Sequence, residues 1–135
     1  MTPDLPIDHI GIAVADLPSA IARWSALLGA PAEPPEAVPS QRVRVAFLAA
    51  GTSHIELLEP TDPESAVGRF LAARGEGIHH LAFSVPSVDA ALAAHLQRGE
   101  RVVDRAGRPG ARGRRVGFAH PSAFGGVLVE YVESV

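Results

Sequence analysis

Apolar residues run together or alternate with polar ones over short stretches of this chain, which is the pattern of β-strands. Gly51 divides two of these stretches and predicts a hairpin. The Pro-rich stretch 31–39 is expected to be a loop with room for a short edge strand. The strands predicted from the pattern are 7–14, 43–50, 53–59, 78–85, 115–119 and 126–133.

Three helices are predicted between these strands. Two of them follow the N-cap residues Asp16 and Ser87 and end at Gly29 and Gly99. Asp and Ser favour a helix start, and glycine favours the left-handed residue that follows a helix end. A third helix, expected over about 62–74, links the two halves of the chain.

The sequence repeats itself at an offset of 71 residues, which places His9 over His80 and the string RVAF over RVGF. Three additional residues in the second copy then raise the offset to 74, so that Glu56 lies over Glu130. An insertion of that size is typical of a hairpin loop. The repeat therefore predicts two copies of one structural module.

The repeat predicts a single domain, residues 1–135, of the α+β class. Module one covers about 7–60 and module two about 78–133, each with the strand and helix order βαβββ. We expect a pseudo-twofold axis to relate the two modules. The strands would then form a cupped mixed sheet around a metal site.

The composition of the chain excludes several kinds of catalytic chemistry and argues against some kinds of partner. The 135 residues contain no Cys and no Lys, which excludes thiol nucleophiles, thiolate ligands and lysine Schiff bases. A net charge of −3 argues against a general nucleic-acid binder, and no apolar run is long enough for a membrane span. The first eight residues lack the features of a secretory signal, so a cytoplasmic location is expected.

The repeat pairs His9 with His80 and Glu56 with Glu130. A pseudo-twofold axis would bring these four side chains to a common centre. Two imidazoles and two carboxylates suit one Zn²⁺, Co²⁺, Mn²⁺ or Ni²⁺ ion with room for two more oxygen ligands. The alternative is that all four are polar residues on a solvent-exposed sheet face.

The remaining histidines have a weaker sequence signal. His79 points away from His80 in a strand and is expected to be a structural partner. His54, His95 and His120 are expected to be surface or supporting residues, with His120 near the predicted cleft.

Several strings resemble the vicinal oxygen chelate superfamily and, within it, the methylmalonyl-CoA epimerases. They are IDHIGIAVADL, VRVAFL, IELLEP, RGEGIHHLAFSV, RPGARGRRVGFAHP and GGVLVEYVE. The resemblance implies metal ligands at His9, Glu56, His80 and Glu130. It also implies epimerisation at the 2-carbon of methylmalonyl-CoA through a metal-stabilised enolate, and a homodimer.

Glu130 and Glu56 are the candidates for proton transfer, because they are the carboxylates expected near the ion. Some members of the family have a catalytic Glu where this chain has Val45, which leaves the second base open. Arginines of the Gly-rich loop are candidates for contacts with the phosphates of coenzyme A. These arginines are Arg112, Arg114 and Arg115.

Three other activities are compatible with this fold family. The nearest is a glyoxalase I type lactoylglutathione lyase, which uses a similar ligand set. An extradiol dioxygenase is disfavoured because it needs two His and one Glu around iron. A metal-free binding or resistance protein would not need the four ligands together.

Overall fold

The computed structural model describes residues 5–134 and confirms an α+β fold with two βαβββ modules. Residues 1–4, which belong to the stretch used to judge a secretory signal, lie outside the described residues. In the described part, no helix is long and apolar enough to cross a membrane. The elements are β1 Ile7–Ala13, α1 Leu17–Leu28, β2 Glu36–Val38, β3 Val43–Ala50, β4 Ser53–Pro60, α2 Ala66–Arg74, β5 Gly77–Val85, α3 Val88–Gln97, β6 Arg108–Pro109, β7 Arg115–Ala119 and β8 Val129–Glu133.

The chain divides into two compact units. The first unit comprises residues 9–79, and the second unit comprises residues 5–8 together with 80–134. Helix α2 lies between the two βαβββ modules in the sequence and belongs to the first unit.

The strands of the first unit lie in the order β2-β3-β4-β1, with β1 parallel to β4 and the other neighbours antiparallel. Alternate residues of β4, including Ile55 and Leu57, pack against α1. The helix contributes Leu17 and Ala20 to this core. The side chains on the opposite face of β4 therefore point away from α1.

The second unit repeats this arrangement with the order β5-β8-β7-β6, in which β5 is parallel to β8. Helix α3 packs on one face through Val88 and Leu92. Gly117 lies beneath this helix, and a Cβ atom there would come within 2.8 Å of Leu92 Cδ1. Glycine therefore permits the close approach of α3 to the sheet.

A carboxylate from the last strand of each module binds the start of the module's helix. Glu59 Oε2 accepts a hydrogen bond from the backbone N–H of Leu17 at 2.8 Å. Glu133 Oε1 accepts one from the N–H of Val88 at 3.0 Å. The first N–H groups of a helix have no partner within it, and negative charge is favourable at this end. Each helix is thus tied to its sheet at the N-terminus.

Helix α2 begins at Ala66, so the predicted start near Asp62 is wrong. Ser65 caps the helix by accepting a hydrogen bond from Gly68 N–H at 3.1 Å. Asp62 instead forms a turn before the helix, because its carboxylate accepts the N–H of Glu64 at 2.8 Å. This backbone hydrogen bond and the nearby guanidinium of Arg42 hold the pKa of Asp62 below its ordinary value.

Strand β8 is also shorter than predicted, beginning at Val129 instead of residue 126. The positive φ angles of Gly125 and Gly126, 64° and 106°, turn the chain before the strand begins. Asp16 and Ser87 lie at the predicted N-cap positions, but of these two side chains only Ser87 accepts a capping hydrogen bond, from Ala90 N–H at 3.1 Å. The hairpin at Gly51 is confirmed.

We expect Glu59→Ala and Glu133→Ala each to lower the free energy of unfolding by about 1 kcal/mol, because each leaves a helix N-terminus without its acceptor. Urea denaturation followed by circular dichroism measures this difference. Glu64→Ala, at an exposed position before α2, is the matched control. Equal unfolding free energies for the two variants and the control would contradict this role.

Candidate metal centre

The first unit brings His9 and Glu56 together. In the parallel pair of β1 and β4, Gly11 lies opposite Glu56, so both predicted ligands project from the face that is turned away from α1. His9 Nε2 lies 3.2 Å from Glu56 Oε1. The two residues are 3% and 5% exposed.

The second unit contains the same pair, formed by His80 and Glu130. Ala82 lies opposite Glu130 in the parallel pair of β5 and β8, which is the register that Gly11 and Glu56 have in the first unit. His80 Nε2 lies 3.1 Å from Glu130 Oε1, and the residues are 2% and 4% exposed. The repeat in the sequence therefore corresponds to a repeated strand register and a repeated His–Glu distance.

An aromatic ring packs against each of these histidines. Phe47 meets the His9 ring edge-on with centroids 5.5 Å apart, and Phe118 meets the His80 ring in the same way at 5.4 Å. Each phenylalanine lies directly opposite the glutamate of its pair. Sequence reasoning did not assign a role to these rings, although the matched strings RVAF and RVGF contain both of them.

Burial argues against the solvent-exposed alternative for the four residues. A carboxylate in an apolar environment is costly unless a cation or hydrogen bonds compensate it. Nitrogen and oxygen ligands at about 2.1 Å from one ion, at right angles to each other, lie about 3 Å apart. The separations within the two pairs, 3.2 and 3.1 Å, match this value. The buried histidines and glutamates are therefore consistent with a divalent metal site.

Two of the other histidines have structural contacts within the first unit. His54 Nε2 lies 3.6 Å from Glu33 Oε2, and its ring packs against Phe47. His79 packs edge-on against Phe70 at 5.1 Å, which agrees with its predicted structural role. In the second unit, His120 Nδ1 lies 2.8 Å from Ser122 Oγ.

His95 is buried, so of the two expected roles, surface or supporting residue, only the supporting one fits. Its Nδ1 lies 2.8 Å from Glu100 Oε1, and its Nε2 lies 2.7 Å from the Tyr131 hydroxyl. In the tautomer that satisfies both contacts, Nδ1–H donates to the carboxylate and Nε2 accepts from the hydroxyl. Burial raises the pKa of Tyr131, which keeps that hydroxyl a donor. The network joins α3 to β8, and only the tertiary structure reveals it.

The three arginines predicted to contact coenzyme A have different surroundings. Arg114 forms a partly buried ion pair with Asp8 at 2.7 Å, and Arg115 pairs with Asp89 at 2.9 Å. Arg112 lies in the 3₁₀ turn between β6 and β7 with a φ angle of 61°. Contact of these arginines with coenzyme A stays a prediction.

An open cavity of about 410 Å³ lies in the first unit, beside α1 and the start of β5. Ile12, Val14 and Trp24 contribute to its lining and also pack with the α1 core. The cavity therefore opens on the helix side of the sheet, whereas His9 and Glu56 project from the other side.

Residues 8–118 match the family model of the glyoxalase/bleomycin resistance protein/dioxygenase superfamily. The chain therefore belongs to this superfamily, and the resemblance noted from its sequence strings is confirmed.

Within this superfamily, the chain is similar to several individual proteins. The chain is 39% identical over 127 residues to the uncharacterized protein YqjC of Bacillus subtilis, covering 94% of this chain and 91% of that protein. It is 38% identical over 127 residues to the ethylmalonyl-CoA/methylmalonyl-CoA epimerase of Cereibacter sphaeroides, covering 92% and 94% of the two chains. A solved methylmalonyl-CoA epimerase in complex with methylmalonyl-CoA and NH4⁺ has a TM-score of 0.91 and 42% identity, covering 97% and 95%. The chain is thus similar to these epimerases over nearly its whole length.

The His95 network predicts a pH dependence of stability. Hydrogen bonds from His95, and then from Arg98, hold the pKa of Glu100 below its ordinary value. A lowered pKa in the folded state contributes stability above the ordinary pKa, and this contribution is lost as the pH falls through the folded value. Glu100→Gln should therefore flatten the fall of Tm with pH on the acid side of about pH 5. Parallel Tm profiles for the variant and the wild type would contradict the assignment.

Proposed function

We propose that this protein is a metal-dependent isomerase that interconverts (2R)- and (2S)-methylmalonyl-CoA by moving a proton at the 2-carbon. The observation that carries the proposal is the pair of buried His–Glu sites, repeated with the same register and the same aromatic neighbour in both units. Similarity to methylmalonyl-CoA epimerases over nearly the whole chain supports the substrate class.

We propose further that His9, Glu56, His80 and Glu130 together hold one divalent ion per chain. The mixed nitrogen and oxygen donor set suits Co²⁺, Zn²⁺, Mn²⁺ or Ni²⁺. A single shared ion would compensate both buried carboxylates at once. A homodimer and a cytoplasmic location stay predictions for this chain.

Removal of the proton from the 2-carbon leaves negative charge on the thioester oxygen, and this charge must be stabilised. When bound, a divalent ion supplies that stabilisation as a Lewis acid and orients the substrate oxygens. The rings of Phe47 and Phe118 are buried and pack against the histidines of the two His–Glu pairs, where they would limit the access of water. Exclusion of water strengthens every electrostatic interaction at the site.

Glu130 and Glu56 are the proposed proton-transfer groups. One carboxylate takes the proton from one side of the 2-carbon, and the other returns a proton from the opposite side. Val45, a buried apolar residue on the same face as Glu56, provides no carboxylate. We propose Glu130 as the group that removes the proton.

A first experiment measures metal content after reconstitution with Co²⁺ and dialysis. We expect about one ion per wild-type chain, and none in either His9→Ala or His80→Ala, because a shared ion needs ligands from both units. His120→Ala, which alters a histidine outside the ligand set, should retain the metal. Retention of metal by both ligand variants would refute a shared ion.

A second experiment incubates the metal-loaded protein with methylmalonyl-CoA in D₂O and follows the proton at the 2-carbon by NMR. We expect loss of this signal, because a proton removed by a protein carboxylate exchanges with solvent before it returns. Isomerisation of the glutathione hemithioacetal without exchange would identify a lactoylglutathione lyase instead. Absence of both reactions with tight binding of a small molecule would favour a binding protein.

The same assay tests the proton-transfer groups. Glu130→Gln, saturated with metal before the assay, should exchange at least about 100-fold more slowly than the wild type. Glu56→Gln, treated in the same way, is the matched comparison within the repeat. Exchange by metal-saturated Glu130→Gln at the wild-type rate would show that Glu130 acts only as a ligand.

A further inference from the structure

Arg108 projects from the same sheet face as the His80 and Glu130 pair. In the second unit, Arg108 lies opposite Val116 on β7, and Phe118, two residues further along β7, lies opposite Glu130. Residues two apart in a strand share a face. Arg108 is thus a cationic side chain on the ligand-bearing face, which is otherwise lined in part by the buried residues Ala82, Val116 and Val132.

Two neighbours hold the Arg108 side chain in place. Its Nε lies 3.1 Å from Asp104 Oδ1, and its guanidinium carbon lies 5.8 Å from the centre of the Phe118 ring. The same ring packs edge-on against His80. A single aromatic ring therefore separates this guanidinium from a proposed metal ligand. The terminal nitrogens of the guanidinium carry four N–H donors, the set that binds a carboxylate or phosphate bidentately.

The neighbouring arginines are held elsewhere. Arg115 directly precedes Val116 in β7, and adjacent strand residues point to opposite faces. Arg115 therefore lies on the other face, where it pairs with Asp89 on α3. Arg114 is tied to Asp8 and donates to the carbonyl oxygen of Glu133 at 3.0 Å. Among these three guanidinium groups, only that of Arg108 packs against the ring that contacts His80.

The first unit carries the opposite charge at the equivalent position. Glu36 on β2 lies opposite Val45, just as Arg108 on β6 lies opposite Val116. The sequence repeat matches Val45 with Val116. Two equivalent positions of the scaffold thus carry an anion in one unit and a cation in the other. At this position the second unit presents guanidinium N–H donors to an anionic substrate group, whereas the first unit presents a carboxylate.

We propose that Arg108 is a substrate-binding residue that recognises an anionic group of the acyl thioester. This inference rests on the proposed function and adds a specificity determinant to it. The anionic group is the carboxylate of the acyl part or a phosphate of coenzyme A, since a guanidinium binds both in the same bidentate manner.

The test measures dissociation constants by isothermal titration calorimetry with metal-loaded protein. The probes are methylmalonyl-CoA, propionyl-CoA and methylmalonyl-pantetheine, which separate the acyl carboxylate from the phosphates. Arg108→Met keeps an unbranched side chain as far as the position of Nε but removes the guanidinium and its charge. Arg101→Met, at an exposed position of the same unit, is the matched control. Thermal melting and metal content establish that each variant is folded and loaded.

We expect Arg108→Met to weaken methylmalonyl-CoA binding by roughly 10- to 100-fold, which is typical for the loss of a hydrogen-bonded charge pair. Recognition of the acyl carboxylate would weaken both methylmalonyl probes and spare propionyl-CoA. Recognition of phosphate would weaken both CoA probes and spare the pantetheine thioester. Arg108→Lys should bind more tightly than Arg108→Met, because lysine restores the charge without the planar guanidinium. If Arg108→Met does not fold, the loss of affinity is measured with Arg108→Lys against the wild type.

Unchanged affinity of the Arg108 variants for all three probes, with tight binding by the wild type, would overturn this inference. The failure of the proposed function is a separate result, because it requires that the wild type exchange no deuterium at the 2-carbon. Calorimetry tests the role of Arg108 independently, since it detects binding whether or not the proton is exchanged.

Discussion

The burial of two glutamates in apolar sheet faces is the constraint on which the rest of this structure depends. A carboxylate removed from water is tolerated only when a cation or hydrogen bonds replace its hydration. Each of these glutamates has a histidine nitrogen about 3 Å away, and each lies directly opposite a phenylalanine. Strand register, helix packing and two aromatic rings together keep this arrangement buried.

Both units bury their glutamate in the same arrangement of strands and helix. The parallel pairing of the first and last strands of each module sets His and Glu on one face, and the helix packs on the other. A glutamate three residues beyond each buried one, Glu59 or Glu133, then binds the start of the helix. The same strand therefore carries a candidate metal ligand and an anchor for the helix, which couples the site to the packing of the core.

The two units differ where function is expected to need asymmetry. Val45 and Val116 are equivalent, yet the residue across from the first is Glu36 and the residue across from the second is Arg108. A substrate with a carboxylate at one end and a thioester at the other has no twofold symmetry. In the proposed function, opposite charges at equivalent positions would give such a substrate one preferred orientation, whereas identical charges would allow two orientations.

The sequence by itself determined the two modules, the candidate ligand residues and most of the strands, because period-two alternation and an internal repeat can be read from the chain without its fold. It misplaced the start of α2, where Ser65 caps the helix and Asp62 forms the preceding turn. It also left His95 as either a surface or a supporting residue, and it gave Phe47 and Phe118 no role. Only the tertiary structure decided these points, since the Tyr131 partner of His95 and the histidines that contact both rings come from distant strands and depend on register and packing.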